Sequence, residues 1–337
     1  MSTPWLAVAE ETADRRPTYL LARDGHGVLR ACLACYPLDA DSPFPFCRLD
    51  LVLEHTGADR ESSQAAMPNL FCGGRFPSHT RVAVDPRRGP SERRAAVEEI
   101  LGRAEEAARE QGLRSLAVLY VDEGDETLRQ ALEKRRFLVF ASETASSLEV
   151  PAAFEEYLAR FDGRRRNAVR RDRRKLADAG VELSVRRLAP ELLGELVALE
   201  ANLNAKYGTP FDPVAARAGY EALLRLAPEH GLVSTAEIDG RICGFVLLLR
   251  WRDELYARQV GFDYERQGGL PVYFGVVFYE PIEYAIREGL ARIDYATGAE
   301  ATKRAHGCSQ LRQYAYVRCF DGDLHTRLAR ELTRARG

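Results

Sequence analysis

Hydrophobic and polar positions follow two periods along this chain, and the period indicates the type of element in each stretch. One long stretch has apolar residues at helical spacing, so we predict a helix that begins at Pro90 and ends before Gly112. A second helix is predicted over residues 126–135. Runs rich in Val, Leu and Cys predict strands over residues 28–36, 47–54, 80–84, 115–121 and 137–140. Strands that alternate with helices are typical of an α/β unit.

The order of elements partly repeats in the second half, although the residues themselves do not. The predicted strands occupy residues 181–187, 232–238, 242–250, 255–260, 291–295 and 311–318. The predicted helices occupy residues 190–206, 213–225 and 271–288. Pro281 should kink the last helix or restart it. We therefore predict an α/β fold with mixed sheets, in two tandem domains over residues 1–150 and 151–337.

Length and composition agree with a two-domain globular protein. At roughly 150 residues per domain, a chain of 337 residues suggests two domains. Hydrophobic residues make up 46% and charged residues 29%, and no apolar stretch approaches the ~20 residues that a membrane span needs. The N-terminus has no basic segment followed by an apolar run, so we expect no secretion signal, no membrane association and a cytoplasmic protein.

The cysteines and histidines do not indicate a metal site. Cys32 and Cys35 form a C-x-x-C, but they lie inside a predicted strand, and no second pair stands at zinc spacing. The six histidines are dispersed and form no ligand pair. We expect core thiols and no metal.

A basic helical linker is predicted between the domains, over residues 151–179, with Gly180 as its stop. Nine of the residues from 160 to 175 are basic and two are acidic. One interpretation is a solvated helix in an arginine-rich protein, since only four of the 48 basic residues are lysines. The other is contact with a phosphate backbone; the thin apolar face disfavours membrane binding. The candidate RNA-binding residues are Arg164, Arg165, Arg166, Arg170, Arg171 and Arg174.

Several stretches of the second half resemble one acyltransferase family when they are taken in order. They are the basic helix from residue 165 to 181, a strand that ends in Tyr256-Ala257-Arg258, an aromatic helix over residues 273–286, and the loop Gly298-x4-Lys303-x3-Gly307. This arrangement resembles the double-domain branch of the GNAT superfamily, the Fem-type (FemAB-like) N-acyltransferases. The first half is similar to a GNAT domain only at residues 80–140. The resemblance implies two tandem GNAT-like domains, of which the first is degenerate and the second is catalytic.

The resemblance also implies the reaction, an amide-forming transfer of an aminoacyl group from aminoacyl-tRNA to the amine of a small molecule or peptide. The alternative donor is acyl-CoA. GNAT enzymes that use it carry a glycine-rich loop before the long helix, whose N–H groups hold the pyrophosphate. Both equivalent stretches, residues 87–91 and 266–271, are degenerate. We expect no other cofactor and a monomer or homodimer; a non-catalytic binding module remains open.

The candidate catalytic residues cluster around the lysine loop. Lys303 is placed to stabilise an oxyanion or contact the donor, His306 is a candidate base near neutral pH, and Asp294 and Glu300 are alternative bases. In the first half, the loop of residues 72–75 is a further candidate. The predicted substrate-binding residues are Arg258, Tyr256, Tyr273, Tyr279, Glu283, Asn204, Tyr207 and Glu300.

Overall fold

A computed structural model describes residues 3–42, 44–75 and 79–334. The strands are β1 (Thr18–Arg23), β2 (Leu29–Leu38), β3 (Asn69–Cys72), β4 (Ala83–Val84), β5 (Ser115–Asp122), β6 (Leu138–Glu149), β7 (Glu182–Arg187), β8 (Gly231–Ile238), β9 (Arg241–Trp251), β10 (Glu254–Phe262), β11 (Arg292–Asp294) and β12 (Ser309–Cys319). The helices are α1 (Thr3–Glu11), α2 (Leu49–His55), α3 (Arg60–Ala65), α4 (Pro90–Glu110), α5 (Glu126–Lys134), α6 (Phe154–Ala159), α7 (Gly163–Asp178), α8 (Leu193–Tyr207), α9 (Pro213–Leu226), α10 (Tyr264–Gln267), α11 (Val272–Phe274), α12 (Glu280–Arg287), α13 (Glu300–Ala305) and α14 (Gly322–Arg334). Among the helices of these residues, none combines the length and the apolar character that crossing a bilayer requires.

The chain forms two compact units, and their boundaries fall inside β6 and β12. Unit 1 contains residues 13–145 and returns at residue 311, whereas unit 2 contains residues 146–310 together with α1. The sequence predicted one boundary near residue 150 and gave the C-terminal stretch to the second domain. That stretch instead belongs to unit 1, because β12 pairs with β5 and Ser62 of α3 hydrogen-bonds Glu331 of α14 at 2.8 Å.

In unit 1 the strand order is β1-β2-β3-β5-β12-β6, with β4 on β2. The central pair β3/β5 is parallel and the neighbouring pairs are antiparallel. Helix α4 covers this sheet with the positions that the helical period predicted, including Val97, Ile100 and Leu101, and all three are buried.

In unit 2 the strand order is β6-β11-β10-β9-β8-β7, in which β10/β11 is the parallel pair. Side chains alternate between two cores, as a sheet covered on both faces requires. On β9, Val246 and Leu248 belong to the core that α7 and α12 cover. Phe245 and Leu247 belong to the core that α8 and α9 cover. Sheet alternation therefore decides which helices each strand residue meets.

Three predicted elements differ in the structure. Residues 47–54, predicted as a strand, form most of α2, whose buried Leu49 and Leu53 are one helical turn apart. The predicted loop of residues 298–307 contains α13, which carries Lys303. The predicted loop of residues 72–75 begins with the last residue of β3, Asn69–Cys72. Elements α1, β1, α3 and α14 were not predicted, because short apolar runs do not identify their period.

Pro281 acts as the sequence predicted, by restarting its helix. Residues Gly275–Tyr279 form a π-helical turn, and α12 begins at Glu280 with the proline in its first turn. A proline has no N–H to donate to the preceding turn, and a π-turn is a common way to accommodate such a break.

Candidate active site

The parallel strands β10 and β11 of unit 2 pair over a short stretch only, and we call the unpaired edge of β10 beyond this stretch the opening. They pair only over Glu254–Tyr256 and Arg292–Asp294. Strand β10 then continues to Phe262, past a register shift between Ala257 and Val260. In the described residues β11 ends at Asp294, so the bulged part of β10 has no β11 residue beside it. Backbone groups at such an edge are available to a ligand.

Arg258 is the first charged residue beyond the paired segment, and it is almost buried. Its Nη1 donates to the carbonyl of Ala257 at 2.9 Å and lies 3.6 Å from Asp294 Oδ1. Its Nε is buried and has no hydrogen-bond partner in the described part of the chain. Burial lowers the pKa of the guanidinium, and Asp294 opposes that shift. A buried cation with an unused donor suits an anionic ligand group, and the role of Arg258 in substrate binding stays a prediction.

Asp294 lies beside Arg258 at the end of β11. Its carboxylate is fully buried, accepts from the backbone N–H of Ala296 at 2.9 Å, and lies within 4 Å of both Arg258 and Arg292. The backbone N–H and the two guanidinium groups together hold this carboxylate in place. These contacts position Asp294 beside Arg258, and its catalytic role stays a prediction.

Lys303 is buried in α13 and braces the turn that follows β11. Its Nζ donates to the carbonyls of Tyr295 at 2.6 Å, Thr297 at 2.7 Å and Ala296 at 3.4 Å. These three acceptors match the three donors of an ammonium group. These contacts make Lys303 a structural clamp of the turn beside the opening, and its predicted contact with the donor or the oxyanion stays a prediction.

His306 is also engaged on both ring nitrogens. Nδ1 donates to the carbonyl of Thr302 at 2.7 Å, and Nε2 accepts from Arg165 at 2.6 Å. The ring stacks on Phe278 with centroids 4.1 Å apart. Burial lowers its pKa to about 4, the Thr302 hydrogen bond opposes the shift, and Arg165 adds to it. The predicted general base is therefore a neutral, packed side chain in this structure.

The remaining candidates fall into two groups. Tyr256 donates to the carboxylate of Glu254. Tyr279 donates to Asp172 and Glu283 pairs with Arg173, so the π-turn and α12 are both attached to α7. Tyr273 packs against Phe262 and Phe278 in the core that α7 and α12 cover.

The other candidates are at or near the surface. Tyr207 is 70% exposed. Asn204 donates to the carbonyl of Glu200 at 2.9 Å, and Glu300 accepts through its backbone carbonyl from Gln310.

The arginines of α7 divide into anchored and exposed residues. Arg165 contacts His306, Arg166 the carbonyl of Phe161 and Arg170 the carboxylate of Glu155. Four further basic residues of this helix are exposed and form no ion pair among the described residues. They are Arg164, Arg171, Arg174 and Lys175, spaced so that they share one side of the helix; we call them the basic face.

In unit 1 the predicted loop of residues 72–75 is tightly packed. Gly73 has φ +122°, and a Cβ there would lie 2.4 Å from Thr80, so only glycine fits. Arg75 is buried with its guanidinium 3.7 Å from the ring centroid of Phe44. The C-x-x-C does not act as a pair, because the Sγ of Cys35 lies 3.4 Å from that of Cys72 on the neighbouring strand.

Two polar clusters were not identified from the sequence. In unit 1, buried Asp122 accepts from His79 Nδ1 at 2.7 Å and from Gln313 at 2.8 Å. In unit 2, Tyr220 of α9 donates to Glu200 of α8 at 2.9 Å. The sequence offered one signal for the cluster in unit 2, because Glu200 lies one helical turn after the buried Leu196. No group of metal-ligating side chains occurs within the described residues.

Comparison with known proteins places the chain in a family. The profile of a family described as peptidoglycan biosynthesis and recognition matches residues 77–337. The chain belongs to the FemAB-like family. This confirms the resemblance drawn from the sequence, and FemAB-like membership makes the chain an enzyme of the acyltransferase type. No curated protein matches it by sequence.

Solved structures share the fold of this FemAB-like protein at low identity. FemX is 12% identical with a TM-score of 0.66, over 97% of this chain and 93% of its own. The C-terminal domain of a putative lysylphosphatidylglycerol synthetase from Agrobacterium fabrum is 12% identical with a TM-score of 0.59, over 99% and 92%. A tandem GNAT protein of the clavulanic acid pathway is 14% identical with a TM-score of 0.51, over 94% and 92%. The predicted fold of two GNAT-like domains is confirmed.

Proposed function

We propose that this protein forms an amide bond by transferring an aminoacyl group from aminoacyl-tRNA to the amine of a small molecule or peptide, in cell-wall or natural-product type synthesis. The observation that carries the proposal is the exposed basic face of α7, in the same unit as the β10/β11 opening. Four cations without acidic partners on one helix face suit a phosphate backbone. The family description favours the same class of reaction.

The opening supplies what acyl transfer needs at the carbonyl. The unpaired edge of β10 offers backbone N–H groups, and the almost buried Arg258 offers positive charge. Preorganised donors of this kind stabilise the oxyanion of a tetrahedral intermediate. Lys303 and Asp294 keep the turn and the guanidinium in place, so their contribution to the reaction is positional.

An acyl-CoA donor is the alternative, and the loop before α11 disfavours it. Leu270 N–H already donates to Gln267, and the N–H groups of Phe274 and Gly275 donate to Pro271. Helix α11 has three residues. A pyrophosphate would therefore meet few available backbone N–H groups here. Acyl-CoA sites instead present the N–H groups at the start of a long helix.

A donor assay tests the proposal. Bulk tRNA charged with labelled amino acids is incubated with the protein and the small-molecule fraction of a cell extract. We expect RNase-sensitive transfer of label into amide products, and loss of most of it in Arg258→Met. Thiol release from acetyl-CoA without transfer from tRNA would overturn the proposed donor. Absence of both reactions would overturn the proposed transfer from either donor.

A further inference from the structure

Helix α8 lies directly on the strand that bears Arg258. A Cβ built on Gly261 of β10 would lie 2.5 Å from the backbone N of Glu200 and 2.5 Å from the backbone C of Leu199. This contact exists only because Gly261 has no side chain. Gly261 follows the register shift that begins after Ala257. The turn of α8 that carries Glu200 is therefore seated against the bulged part of β10.

Glu200 is on the same face of the sheet as the cation of the opening. Leu255 and Ala257 point into the core under α7 and α12, while Tyr256 packs against the core under α8 and α9. Alternation along the strand places Arg258 with Tyr256, and the guanidinium lies 5.2 Å from that ring. The helix bearing Glu200 covers this second face.

Glu200 differs from the other acidic residues of this face because it has no cationic partner. Asp294 lies beside Arg258 and Arg292, and Glu254 lies 3.6 Å from Arg292. No ion pair involves Glu200 in the described part of the chain. Its Oε2 accepts from the Tyr220 hydroxyl at 2.9 Å. One oxygen is thus held in place, and no cation keeps the group ionised.

The surroundings of Glu200 explain its acidity. Burial raises its pKa to about 7, and the Tyr220 hydrogen bond opposes the shift. Tyr220 is the titratable group that faces it from α9. Its own helix contributes the neutral amide of Asn204, and the strands beneath contribute Gly261 and the ring of Phe245. A base with a pKa near the working pH transfers protons efficiently.

We propose that Glu200 binds the acceptor and takes a proton from its ammonium group, which makes the acceptor a primary amine approaching on the α8–α9 side of the opening. This inference rests on the proposed function. The protonated amine gives one proton to the Glu200 carboxylate and becomes a nucleophile. Its nitrogen then bonds to the acyl carbon, and the ester C–O bond breaks. The second amine proton goes to the leaving hydroxyl oxygen, and Glu200 releases its proton to water.

An activity assay separates a base from a structural Glu–Tyr pair. The assay follows transfer from labelled aminoacyl-tRNA to an amine-containing extract over a range of pH. General base catalysis is typically worth about 10²–10⁴-fold, so Glu200→Gln should lower kcat by about that factor and abolish the acid limb of the kcat/KM profile. The glutamine keeps an acceptor for Tyr220, so folding is preserved. Glu195→Gln, an exposed change on the same helix, should leave rate and profile unchanged.

Tyr220→Phe should shift the acid limb of the pH profile in a defined direction. Loss of the hydroxyl removes a hydrogen bond to the charged carboxylate, so the acid limb should move to higher pH. An unchanged rate and acid limb in Glu200→Gln would overturn the role of Glu200 while the transfer function stands. Failure of the wild-type protein to transfer label would overturn the proposed function and this inference with it.

A second measurement does not depend on turnover. In protein labelled with ¹³C at the glutamate carboxyl, the signal absent from Glu200→Gln identifies Glu200. We expect its midpoint near 7 and a higher midpoint in Tyr220→Phe. A midpoint at the ordinary value of 4.5 would overturn the inference whatever the activity shows.

Discussion

Arg165 donates to Nε2 of His306 at 2.6 Å, which joins the basic helix α7 to the turn after α13. The imidazole is in turn fixed by the Thr302 carbonyl and by the face of Phe278. This contact orients one end of α7, so that the basic face on its other side is presented to solvent. These contacts give the histidine a positional role in unit 2, and its role as a base stays a prediction.

The burial of His306 predicts a stability that depends on pH. Its pKa is about 4 in the folded protein and about 6.5 in the unfolded chain. A depressed pKa gives stability that is complete above the unfolded value and is lost as the pH falls toward the folded value. We expect wild type to lose roughly 3 kcal/mol from this group between about pH 7 and about pH 4. Denaturant unfolding of His306→Phe, which keeps an aromatic ring but does not titrate, should show a correspondingly smaller slope; equal slopes would contradict the prediction.

Lys303 is expected to affect stability as well as activity. Its removal leaves the carbonyls of Tyr295 and Thr297 without their donor, and an unsatisfied buried group costs about 1–3 kcal/mol. Lys303→Ala should therefore lower the free energy of unfolding by at least that amount. The exposed Lys134 is the control, and Lys134→Ala should cost less than about 0.5 kcal/mol. Equal stabilities of the two variants would show that the clamp contributes nothing.

Arg258 and Asp294 should be coupled. Breaking a buried pair by removing one partner typically costs about 3–5 kcal/mol, because the other charge is left uncompensated. We expect Arg258→Met to cost near the lower end, since Arg292 also contacts Asp294. Combining it with Asp294→Asn should cost less than the sum of the two single changes. Strict additivity in this double-mutant cycle would mean that the pair has no interaction energy.

The basic face should account for the salt dependence of tRNA binding. Replacing Arg164, Arg171 and Arg174 by Glu should weaken binding. It should also reduce the slope of log K against log salt by about 0.7–0.9 for each phosphate that the helix no longer neutralises. The matched control carries the same charge change at Arg94, Arg114 and Arg330, which are exposed in unit 1. Equal effects of the two triple variants would mean that only net charge matters.

Gly261 tests how closely α8 approaches β10. Alanine there would place a Cβ 2.5 Å from helix backbone atoms, so the helix must move and we expect a loss of more than about 2 kcal/mol. Gly194, in the same helix, has open space around it, and Gly194→Ala should stabilise by up to about 1 kcal/mol. A tolerated Gly261→Ala, by thermal unfolding, would refute the close contact.

The parts of the fold that the sequence predicted well are those with a local cause. Helix α4 was recognised because its apolar residues repeat at helical spacing and Pro90 and Gly112 mark its ends. The segment that became α2 was misassigned because its short apolar run fits a strand as well as a helix. The lysine loop was recognised as special by its glycines, but its pattern contains no information on whether Nζ meets ligand or backbone.

By itself, the sequence determined the α/β alternation, the positions of most helices, the basic character of α7 and the resemblance to the FemAB-like family, since each depends on residues close together in the chain. The tertiary structure alone decided which arginines of α7 are anchored, that Lys303 clamps backbone carbonyls, and that Glu200 lies without a cation against β10. Burial and pairing arise between residues distant in the chain, and these contacts set the pKa and the availability of each side chain.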